Sequence, residues 1–184
     1  MGFVSPQFVT LPNGTALTLR TAEPADASQV LEHTKQVTAE TDFLVTTPEE
    51  VTLTVDEERV WIQHHLDDPG SLLLLACAGP QVIGILSFRR ESRVRLSHHG
   101  SLGVSVQKAW HGQGIGRKLV ETLLRWAEAN PWLEKACLEV FTTNEPAIHL
   151  YHSLGFQEEG RRRRHVKLGP DAYVDVLVMC KFVK

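Results

Sequence analysis

Three glycines at alternate positions, Gly112, Gly114 and Gly116, stand in the stretch WHGQGIGRKLV at residues 110–120. A strand pattern precedes them and a helical pattern follows. Where a strand turns through glycines into a helix, several backbone N–H groups at the helix start lack partners, and together with the helix dipole they attract phosphate. Glycine also lets a bulky anion approach the chain. The stretch therefore predicts a phosphate-binding turn, with a purely structural turn as the alternative.

Two basic residues, Arg117 and Lys118, follow the glycines in what would be the first turn of the helix. A cation at this position opposes the helix dipole by about 0.3 to 1 kcal/mol, whereas a carboxylate would be favourable. A bound polyanion would remove this penalty. The basic pair therefore favours a phosphate ligand over a structural turn.

Two common nucleotide-binding motifs do not fit the glycine stretch. Its spacing does not satisfy GxGxxG, because Arg117 occupies the last glycine position and the preceding strands form a meander rather than a βαβ unit. It is not a Walker loop either, since Gly112 is not followed by four residues and then Gly-Lys-Ser/Thr. The sequence therefore argues against NAD and ATP as ligands.

A second candidate motif lies in NEPAIHLYHSLGF, residues 144–156. Spacings of three and four place Asn144, Ala147 and Tyr151 on one face of a helix. Asn144 is a suitable N-cap, and Pro146 suits the first helical turn. This pattern predicts a short helix that carries these three residues on one face.

The apolar periodicity along the chain predicts the order strand, two helices, three strands, helix, strand, helix and two strands. The expected elements are strand 15–22, helices 26–39 and 55–66, strands 72–78, 82–89 and 99–107, helix 114–129, strand 135–141, helix 144–154, and closing strands from 156 and over 172–182. Val30, Val37, Val60 and Trp61 are the expected inward residues of the first two helices. The three consecutive strands indicate an antiparallel meander. With no linker or repeat, residues 1–184 are expected to form one mixed α/β domain.

The two motifs together resemble the GNAT superfamily of N-acetyltransferases, which bind acetyl-CoA through an Arg/Gln-x-x-Gly-x-Gly/Ala turn. That turn corresponds to residues 111–116, HGQGIG, and the helix at 144–156 matches Asn-x-x-Ala-x-x-x-Tyr followed by Gly-Phe. The resemblance follows the element order from about Leu17 to Phe182 and is most specific over 102–156. It implies a single α/β (mixed α+β) domain with a twisted, mostly antiparallel mixed sheet flanked by helices.

The resemblance also implies which residues bind acetyl-CoA, the co-substrate. The backbone amides of Gln113, Gly114, Gly116 and Arg117 would hold the pyrophosphate, and backbone groups of two valines would pair with the pantetheine arm. His111 departs from the Arg or Gln of the family. The full set of expected acetyl-CoA contacts is Val104, Val106, His111, Gly112, Gln113, Gly114, Ile115, Gly116, Arg117, Lys118, Asn144 and Tyr151.

The implied chemistry is direct attack of a neutral amine on the acetyl carbonyl, with protonation of the leaving thiolate. Tyr151 is the expected acid, and a core tyrosine with a satisfied hydroxyl is the alternative. An ammonium acceptor must also lose a proton, and Glu139 and Glu40 are the two candidate bases, acting directly or through water. Each carboxylate has a solvated or structural role as its alternative.

The acceptor stays open, because a resemblance in the acetyl-CoA half says little about the other half. A free amino acid, a polyamine, an aminoglycoside-like amine and a protein N-terminus all fit. We expect a small-amine acetyltransferase first and a protein N-terminal acetyltransferase second. A CoA-binding module without catalysis and an RNA-binding protein are the hypotheses from other classes.

The composition sets limits on partners and location. A chain of 184 residues with 42% hydrophobic content is long enough for one well-buried domain, and its formal net charge of -3 argues against bulk attraction to nucleic acid or anionic membrane. The start lacks a secretory signal, and no apolar run approaches the roughly 20 residues of a membrane span. Three cysteines, Cys77, Cys137 and Cys180, are expected to be buried and reduced. We expect a soluble cytoplasmic protein.

Three further features attract attention. The run RRRR, residues 161–164, would alternate between two faces of a strand, so we expect a solvated face or a contact with an acidic acceptor rather than nucleic-acid recognition. The paired histidines lack further ligands nearby, so no metal site is expected. Tyr173 and Asp175 share a strand face and are candidates for acceptor-site or homodimer contacts, with strand packing as the alternative.

Overall fold

The computed structural model describes residues 2–184, and eight segments of them form strands. The strands are β1 (Gln7–Thr10), β2 (Ala16–Thr21), β3 (Leu72–Ala78), β4 (Gln81–Arg90), β5 (His99–Val106), β6 (Lys135–Phe141), β7 (Gln157–Lys167) and β8 (Tyr173–Phe182). The helices are α1 (Ala27–Glu40), α2 (Val55–Asp67), α3 (Ile115–Ala129) and α4 (Glu145–Ser153). None of the helices that residues 2–184 form combines the length and apolarity needed to cross a membrane.

All eight strands join one sheet in the order β1-β2-β3-β4-β5-β6-β8-β7. Strands β1 to β5 pair antiparallel with their sequence neighbours, β5 pairs parallel with β6, and β8 lies between β6 and β7. The predicted mixed, mostly antiparallel sheet is therefore confirmed, and the predicted order of elements is confirmed from β2 onward.

Two details of the prediction were wrong or missing. The short edge strand β1 was not predicted, and its Phe8 is 84% exposed, so the strand carries little one-sided burial from which to recognise it. Val60 was expected to face inward but is 55% exposed, whereas Ile62 is fully buried. The buried face of α2 includes Ile62 and His65. Because Val60 is apolar and stands next to Trp61, the sequence pattern assigned it to the buried face.

The continuous apolar run of β3 is explained by two layers of helices on opposite faces of the sheet. Alternate side chains of a strand point to opposite faces. Leu73 and Leu75 pack with α1 and α2, while Leu72 and Leu74 pack with α3. Both faces of β3 are therefore buried, which explains why its sequence does not alternate between apolar and polar residues.

The three cysteines are free thiols. Cys77 and Cys180 are buried as predicted, whereas Cys137 is only half-buried. Burial raises the pKa of the Cys77 thiol above its usual value. The thiols therefore stay protonated near neutral pH.

The sheet opens at its centre, between β5 and β6. The two strands pair over only four positions, from His99 opposite Lys135 to Leu102 opposite Leu138. Beyond these positions β5 stays paired with β4, and β6 stays paired with β8. The two strands therefore diverge, and their far halves, 103–106 and 139–141, face a gap instead of each other.

A buried histidine lies between α1 and the sheet beside this gap. His33 is fully buried, and its Nε2 lies 2.9 Å from the Ser105 hydroxyl oxygen of β5. Burial lowers the pKa of His33 to about 4. The imidazole is therefore neutral near pH 7.

We predict that His33 makes the protein less stable in acid. The unfolded chain takes up the proton near pH 6.5 and the folded protein only near 4, so stability is complete above pH 6.5 and falls as the pH drops toward 4. The loss attributable to His33 is on the order of 3 kcal/mol. Urea unfolding between about pH 7.5 and 4.5 measures it.

The variant His33→Gln should lose this part of the pH dependence, while His64→Gln, at an exposed position, should retain it. An unchanged dependence in His33→Gln would show that other groups dominate acid destabilisation.

Candidate active site

A cavity of about 760 Å³ occupies the gap between β5 and β6 and extends to the start of α3. The ends of β5 and β6, the C-terminal end of α1 and one face of α4 surround it. Ten of the expected acetyl-CoA residues line it, namely Val104, Val106, His111, Gly112, Gly114, Ile115, Gly116, Arg117, Asn144 and Tyr151. Glu40 and Glu139 line it as well. The structure therefore brings both sequence motifs and both candidate bases to one cavity.

Two expected contacts, Gln113 and Lys118, do not line the cavity. The Gln113 side chain instead accepts a hydrogen bond from Asn13 at 2.9 Å. This bond joins the turn between β1 and β2 to the glycine turn. The backbone amide of Gln113 remains within the turn, so its expected role concerns the main chain alone.

The glycine turn has the geometry of an anion cradle. Gly112 and Gly114 have φ values of 73° and 79°, in the left-handed region, and a Cβ on either would meet no atom within 4 Å. Gly114 is the N-cap of α3 and offers no side chain to the first helical amides. Among residues 2–184, no protein acceptor takes the backbone N–H groups of residues 112–117. The turn thus presents open space and free donors, which fit a diphosphate.

The basic residue Arg117 is partly committed within the protein. Its guanidinium donates to the Ser153 hydroxyl at 2.7 Å and lies 3.7 Å from the Glu121 carboxylate. The contact with Ser153 joins the first turn of α3 to the end of α4, and the contact with Glu121 lies within α3. Arg117 therefore holds the two cavity helices together and still places a positive charge at the cradle.

The main-chain groups of β5 that face the gap belong to Val104 and Val106. The Gln107 N–H donates to the Ile83 carbonyl of β4 at 3.0 Å. Backbone groups alternate in direction along an antiparallel strand, so those of Ser105 also face β4, and those of Val104 and Val106 point the other way. The gap therefore presents a strand edge to which an extended amide chain can pair.

His111 has a contact that the sequence did not predict. Its Nε2 lies 2.8 Å from the Val106 carbonyl oxygen. With the proton on Nε2, the imidazole donates to this carbonyl and ties the glycine turn to the end of β5. The Val106 carbonyl is therefore already used, and Val104 keeps both of its backbone groups for a ligand.

Tyr151, on α4, reaches the cavity with a free hydroxyl. The residue is only 6% exposed, its ring packs edge-on against Phe156, and burial raises the pKa of the phenol to about 12. Burial alone raises this pKa, and within residues 2–184 no hydrogen bond to the hydroxyl contributes to it. A core tyrosine with a satisfied hydroxyl does not match this arrangement. The phenol is therefore protonated near neutral pH and available to a ligand.

Asn144 lines the same cavity but has a structural contact. Its side-chain oxygen accepts the backbone N–H of Ala147 at 3.3 Å, which caps the start of α4. The predicted N-cap is confirmed. This cap fixes the helix that carries Tyr151.

The two candidate bases have different surroundings. Both oxygens of Glu40 are occupied, one by the Lys108 backbone N–H at 2.7 Å and the other by the Gln36 side chain at 2.8 Å. These hydrogen bonds hold the pKa of the Glu40 carboxyl below its usual value. Glu139 instead forms an ion pair of 2.7 Å with Arg162, and both side chains are 47% exposed.

The arginine run lies on β7, where its side chains are exposed as predicted. Arg161 pairs with Asp175 at 2.7 Å, and the Arg164 backbone N–H donates to the other Asp175 oxygen. The Arg164 guanidinium lies 4.1 Å from the centre of the Tyr173 ring. Asp175 and Tyr173 therefore shape this strand pair, and their suggested acceptor and homodimer roles stay predictions.

Several lining residues gave no recognisable signal in the sequence. Phe43 and Leu44 follow α1 and form an apolar wall, and His149 and Leu150 contribute from α4. Their types are ordinary, and only the fold brings them to the cavity.

No group of three or more His, Cys, Asp or Glu within residues 2–184 could hold a metal ion.

The sequence model of the acetyltransferase (GNAT) family matches residues 38–156, which contain the gap, the glycine turn and Tyr151. The chain belongs to the GNAT family of acetyltransferases. The predicted family, enzyme class and single GNAT-type fold are therefore confirmed, and acetyl-CoA is the acetyl donor.

Known GNAT proteins resemble the chain to different extents. An L-amino acid N-acetyltransferase of Escherichia coli is 29% identical over 67% of this chain and 76% of its own length. The N-alpha-acetyltransferase RimI of Mycobacterium tuberculosis is 35% identical over 59% of this chain and 66% of its own length. A GNAT acetyltransferase structure from Streptococcus pneumoniae matches with a TM-score of 0.87 and 30% identity, covering 91% of this chain and 99% of that one.

We predict that Gly114→Glu abolishes acetyl-CoA binding, because it places a carboxylate among the free amides of the cradle. Calorimetric titration with acetyl-CoA should show a loss of at least about 100-fold in affinity, in line with the cost of an unfavourable buried charge. The variant should still fold, as checked by circular dichroism.

The matched control is Gly79→Glu. Gly79 lies in the turn between β3 and β4, has a φ of 58°, and likewise has space around it, since a Cβ there would meet no atom within 4 Å. The Gly79→Glu variant therefore has similar backbone strain outside the cavity and should keep the wild-type affinity for acetyl-CoA. Equal affinity in both variants would refute the cradle.

Proposed function

We propose that the protein transfers the acetyl group of acetyl-CoA to the primary amine of a small, amino-acid-like acceptor by direct attack. One observation carries the proposal: a single cavity joins the glycine cradle, the free edge of β5, the Tyr151 hydroxyl and Glu139. These are the parts that donor binding, acid catalysis and base catalysis require. A CoA-binding module without catalysis would not need the last two.

In this proposal the cradle binds the pyrophosphate, and the gap-facing backbone of Val104 pairs with the pantetheine arm as an added strand would. The Val106 N–H adds one more donor, and its carbonyl stays with His111. The thioester supplies an activated acetyl group. Binding in the gap directs this end toward Tyr151 and excludes water from it.

An ammonium acceptor loses two protons in the reaction, one before the attack and one from the attacking nitrogen afterwards, and the leaving thiolate gains one. The amine nitrogen attacks the carbonyl carbon, a gap-facing backbone N–H of β5 stabilises the oxyanion, and the carbon–sulfur bond breaks. The Tyr151 hydroxyl donates its proton to the leaving thiolate. Because the phenol has a pKa of about 12, it is protonated throughout the neutral range and is readily reprotonated after each turnover.

We assign the base to Glu139 rather than Glu40. The Glu40 oxygens already accept two hydrogen bonds that keep the carboxylate ionised, and these bonds join α1 to the turn at 108–110. A group held in this way is a weak proton acceptor. Glu139 lines the same cavity, and its only ion partner among residues 2–184 is an exposed arginine that can be displaced.

A small acceptor is supported by the cavity and by one relative. Phe43 and Leu44 form an apolar wall over the acceptor side, and the similar Escherichia coli protein is named for L-amino acids. A protein N-terminus is the second candidate, supported by the similarity to the Mycobacterium tuberculosis N-alpha-acetyltransferase. The two classes differ in whether the acceptor carries a carboxylate beside its amine.

The proposal also includes a cytoplasmic location. The three cysteines are free thiols, and unpaired thiols are typical of reducing compartments. Partners other than acetyl-CoA and the amine are not required. The arginine run is used mainly in internal contacts, which gives no support to a nucleic-acid partner. A homodimer stays a prediction.

The function is tested by amine-dependent release of the CoA thiol, and the variant Tyr151→Phe tests its mechanism. We expect a loss of about 100-fold or more in kcat, the usual contribution of a general acid, with acetyl-CoA affinity unchanged. Tyr173→Phe is the matched control, since Tyr173 is the other of the two tyrosines and lies on β8 outside the cavity.

An unchanged rate in Tyr151→Phe would assign thiolate protonation to another group. Binding of acetyl-CoA with no amine acetylated by the wild type would overturn the enzymatic proposal and favour the binding module.

The base is tested by comparing Glu139→Gln with Glu40→Gln. Glu139→Gln should lower kcat/KM by about 100-fold near neutral pH, as expected for a lost general base. The defect should shrink as the pH rises toward the pKa of the acceptor amine, because the amine then arrives already deprotonated. Glu40→Gln should instead lower the unfolding temperature with a smaller effect on kcat/KM. The reverse pattern would move the base to Glu40.

A further inference from the structure

We propose that Arg162 binds the carboxylate of the acceptor and thereby selects free amino acids over amines that lack a carboxylate. This inference rests on the proposed function, because it concerns the acceptor side of the same cavity. It assigns a role to one member of the arginine run and makes Glu139 and Arg162 a pair of sites for the two charges of a zwitterion.

Strand register places Arg162 beside Glu139. Glu139 lies opposite Val178 of β8, and Arg162 lies opposite Val176, the next residue of β8 on the same face. The two side chains therefore reach across β8 and meet at 2.7 Å. Glu139 is also the first residue of β6 beyond the last pair with β5, Leu102 with Leu138. The ion pair thus stands at the edge of the gap, with Glu139 in the cavity lining and Arg162 beside it, outside that lining.

Two other arginines of the run have contacts with residues that do not line the cavity. Arg161 is held by Asp175, and Arg164 lies over the Tyr173 ring. Arg164 has a φ of 48°, within an irregular stretch of β7 where the pairing with β8 shifts register between Arg162 and Val166. Because of this irregularity, the side chains of the run point in different directions. Only Arg162 of this run pairs with a residue that lines the cavity.

The chemistry of the pair matches a free amino acid. A guanidinium binds a carboxylate through two parallel hydrogen bonds, and a carboxylate binds an ammonium group. Ion pairs between half-exposed side chains are weak and exchange partners readily. A zwitterion can therefore replace the internal pair with two external ones and leave no charge uncompensated. A peptide N-terminus or a polyamine provides only the ammonium.

The space around the pair suits a small molecule. Gly103 of β5 lies at the start of the gap, and a Cβ there would meet only the Ser87 hydroxyl oxygen, at 3.7 Å. The apolar wall of Phe43 and Leu44 lies on the same cavity. An amino acid can thus place its charged end at Glu139 and Arg162 and its side chain toward the apolar wall.

The exchange also prepares the reaction. When the acceptor carboxylate takes Arg162, Glu139 is released from its ion pair and faces the acceptor ammonium. One proton moves from the ammonium nitrogen to Glu139, which later returns it to solvent, and the neutral amine attacks the acetyl carbon. The nitrogen loses its second proton as the carbon–sulfur bond breaks, and this proton replaces the one that Tyr151 gives to the leaving thiolate. Carboxylate binding and amine activation are therefore coupled through the same two side chains.

The experiment compares matched acceptors, namely the common L-amino acids and, for each one accepted, its α-amide, in which a carboxamide replaces the carboxylate. The wild type should prefer the acid by about 10- to 100-fold in kcat/KM, the usual value of a charge-assisted bidentate contact. Arg162→Gln should remove this preference through a higher KM for the acid, with the amide changed by less than about 3-fold. Arg162→Lys should retain part of it, since lysine keeps the charge but loses the planar fork.

Arg163→Gln is the matched control. Arg163 is the next arginine of the run, and within residues 2–184 it has no ion pair shorter than 4.0 Å. The Arg163→Gln variant removes the same charge from the same strand and should keep the wild-type preference for acids over amides. This control separates a specific contact from the general positive charge of β7.

Other outcomes would overturn the inference. Equal rates for acids and amides in the wild type, or equal losses for both in Arg162→Gln, would show that Arg162 only holds Glu139. Acetylation of peptide N-termini without acetylation of free amino acids would also refute it, and either result leaves the acetyltransferase function intact. Failure to acetylate any amine, despite acetyl-CoA binding, would instead refute the proposed function.

Discussion

The separation of two neighbouring parallel strands is the constraint on which the rest of this structure depends. After four paired positions, β5 and β6 stop bonding to each other, although each keeps its outer partner. Backbone N–H and C=O groups in a sheet interior need partners. A ligand with amide groups along an extended arm can supply them, and in the proposed complex the pantetheine arm of acetyl-CoA takes this place. The cradle at the start of α3 lies at the end of this missing strand position.

The charged groups around the gap are held with different strength. Glu40 is fixed by a main-chain donor and a side-chain amide, both within 2.8 Å. Glu139 is held by one exposed guanidinium. A carboxylate bound to the backbone organises the fold, whereas one bound to a mobile side chain can change partners during a reaction. The two acidic residues thus look alike in the sequence and have different physical roles.

The sequence predicted the elements well because their signals are local. The apolar periodicity of α3 and the continuous run of β3 reflect burial on one face or on two, and the N-cap Asn144 acts within its own helix. The glycine turn was predicted for the same reason. The edge strand β1 was missed because its pattern of burial is weak. The phase of α2 was misjudged at Val60, where a large apolar residue faces solvent.

The contacts that the sequence could not predict join distant parts of the chain. Arg162 meets Glu139 only because β8 lies between β6 and β7. His111 bonds the Val106 carbonyl only because the turn folds back on β5. Such contacts depend on register and strand order, which leave no spacing pattern in the sequence.

The hydrogen bond from the Lys108 N–H to Glu40 joins the acceptor side of the cavity to the donor side. Glu40 ends α1, directly before the apolar wall, and Lys108 begins the short turn that leads to the glycine cradle. We expect ligands on the two sides of this joint to influence each other's affinity. Linkage between two binding sites is reciprocal. If bound acetyl-CoA changes the affinity for the acceptor by some factor, the bound acceptor changes the affinity for acetyl-CoA by the same factor. In the proposed enzyme, the Glu40 carboxylate is the contact through which such coupling between the two substrates would pass.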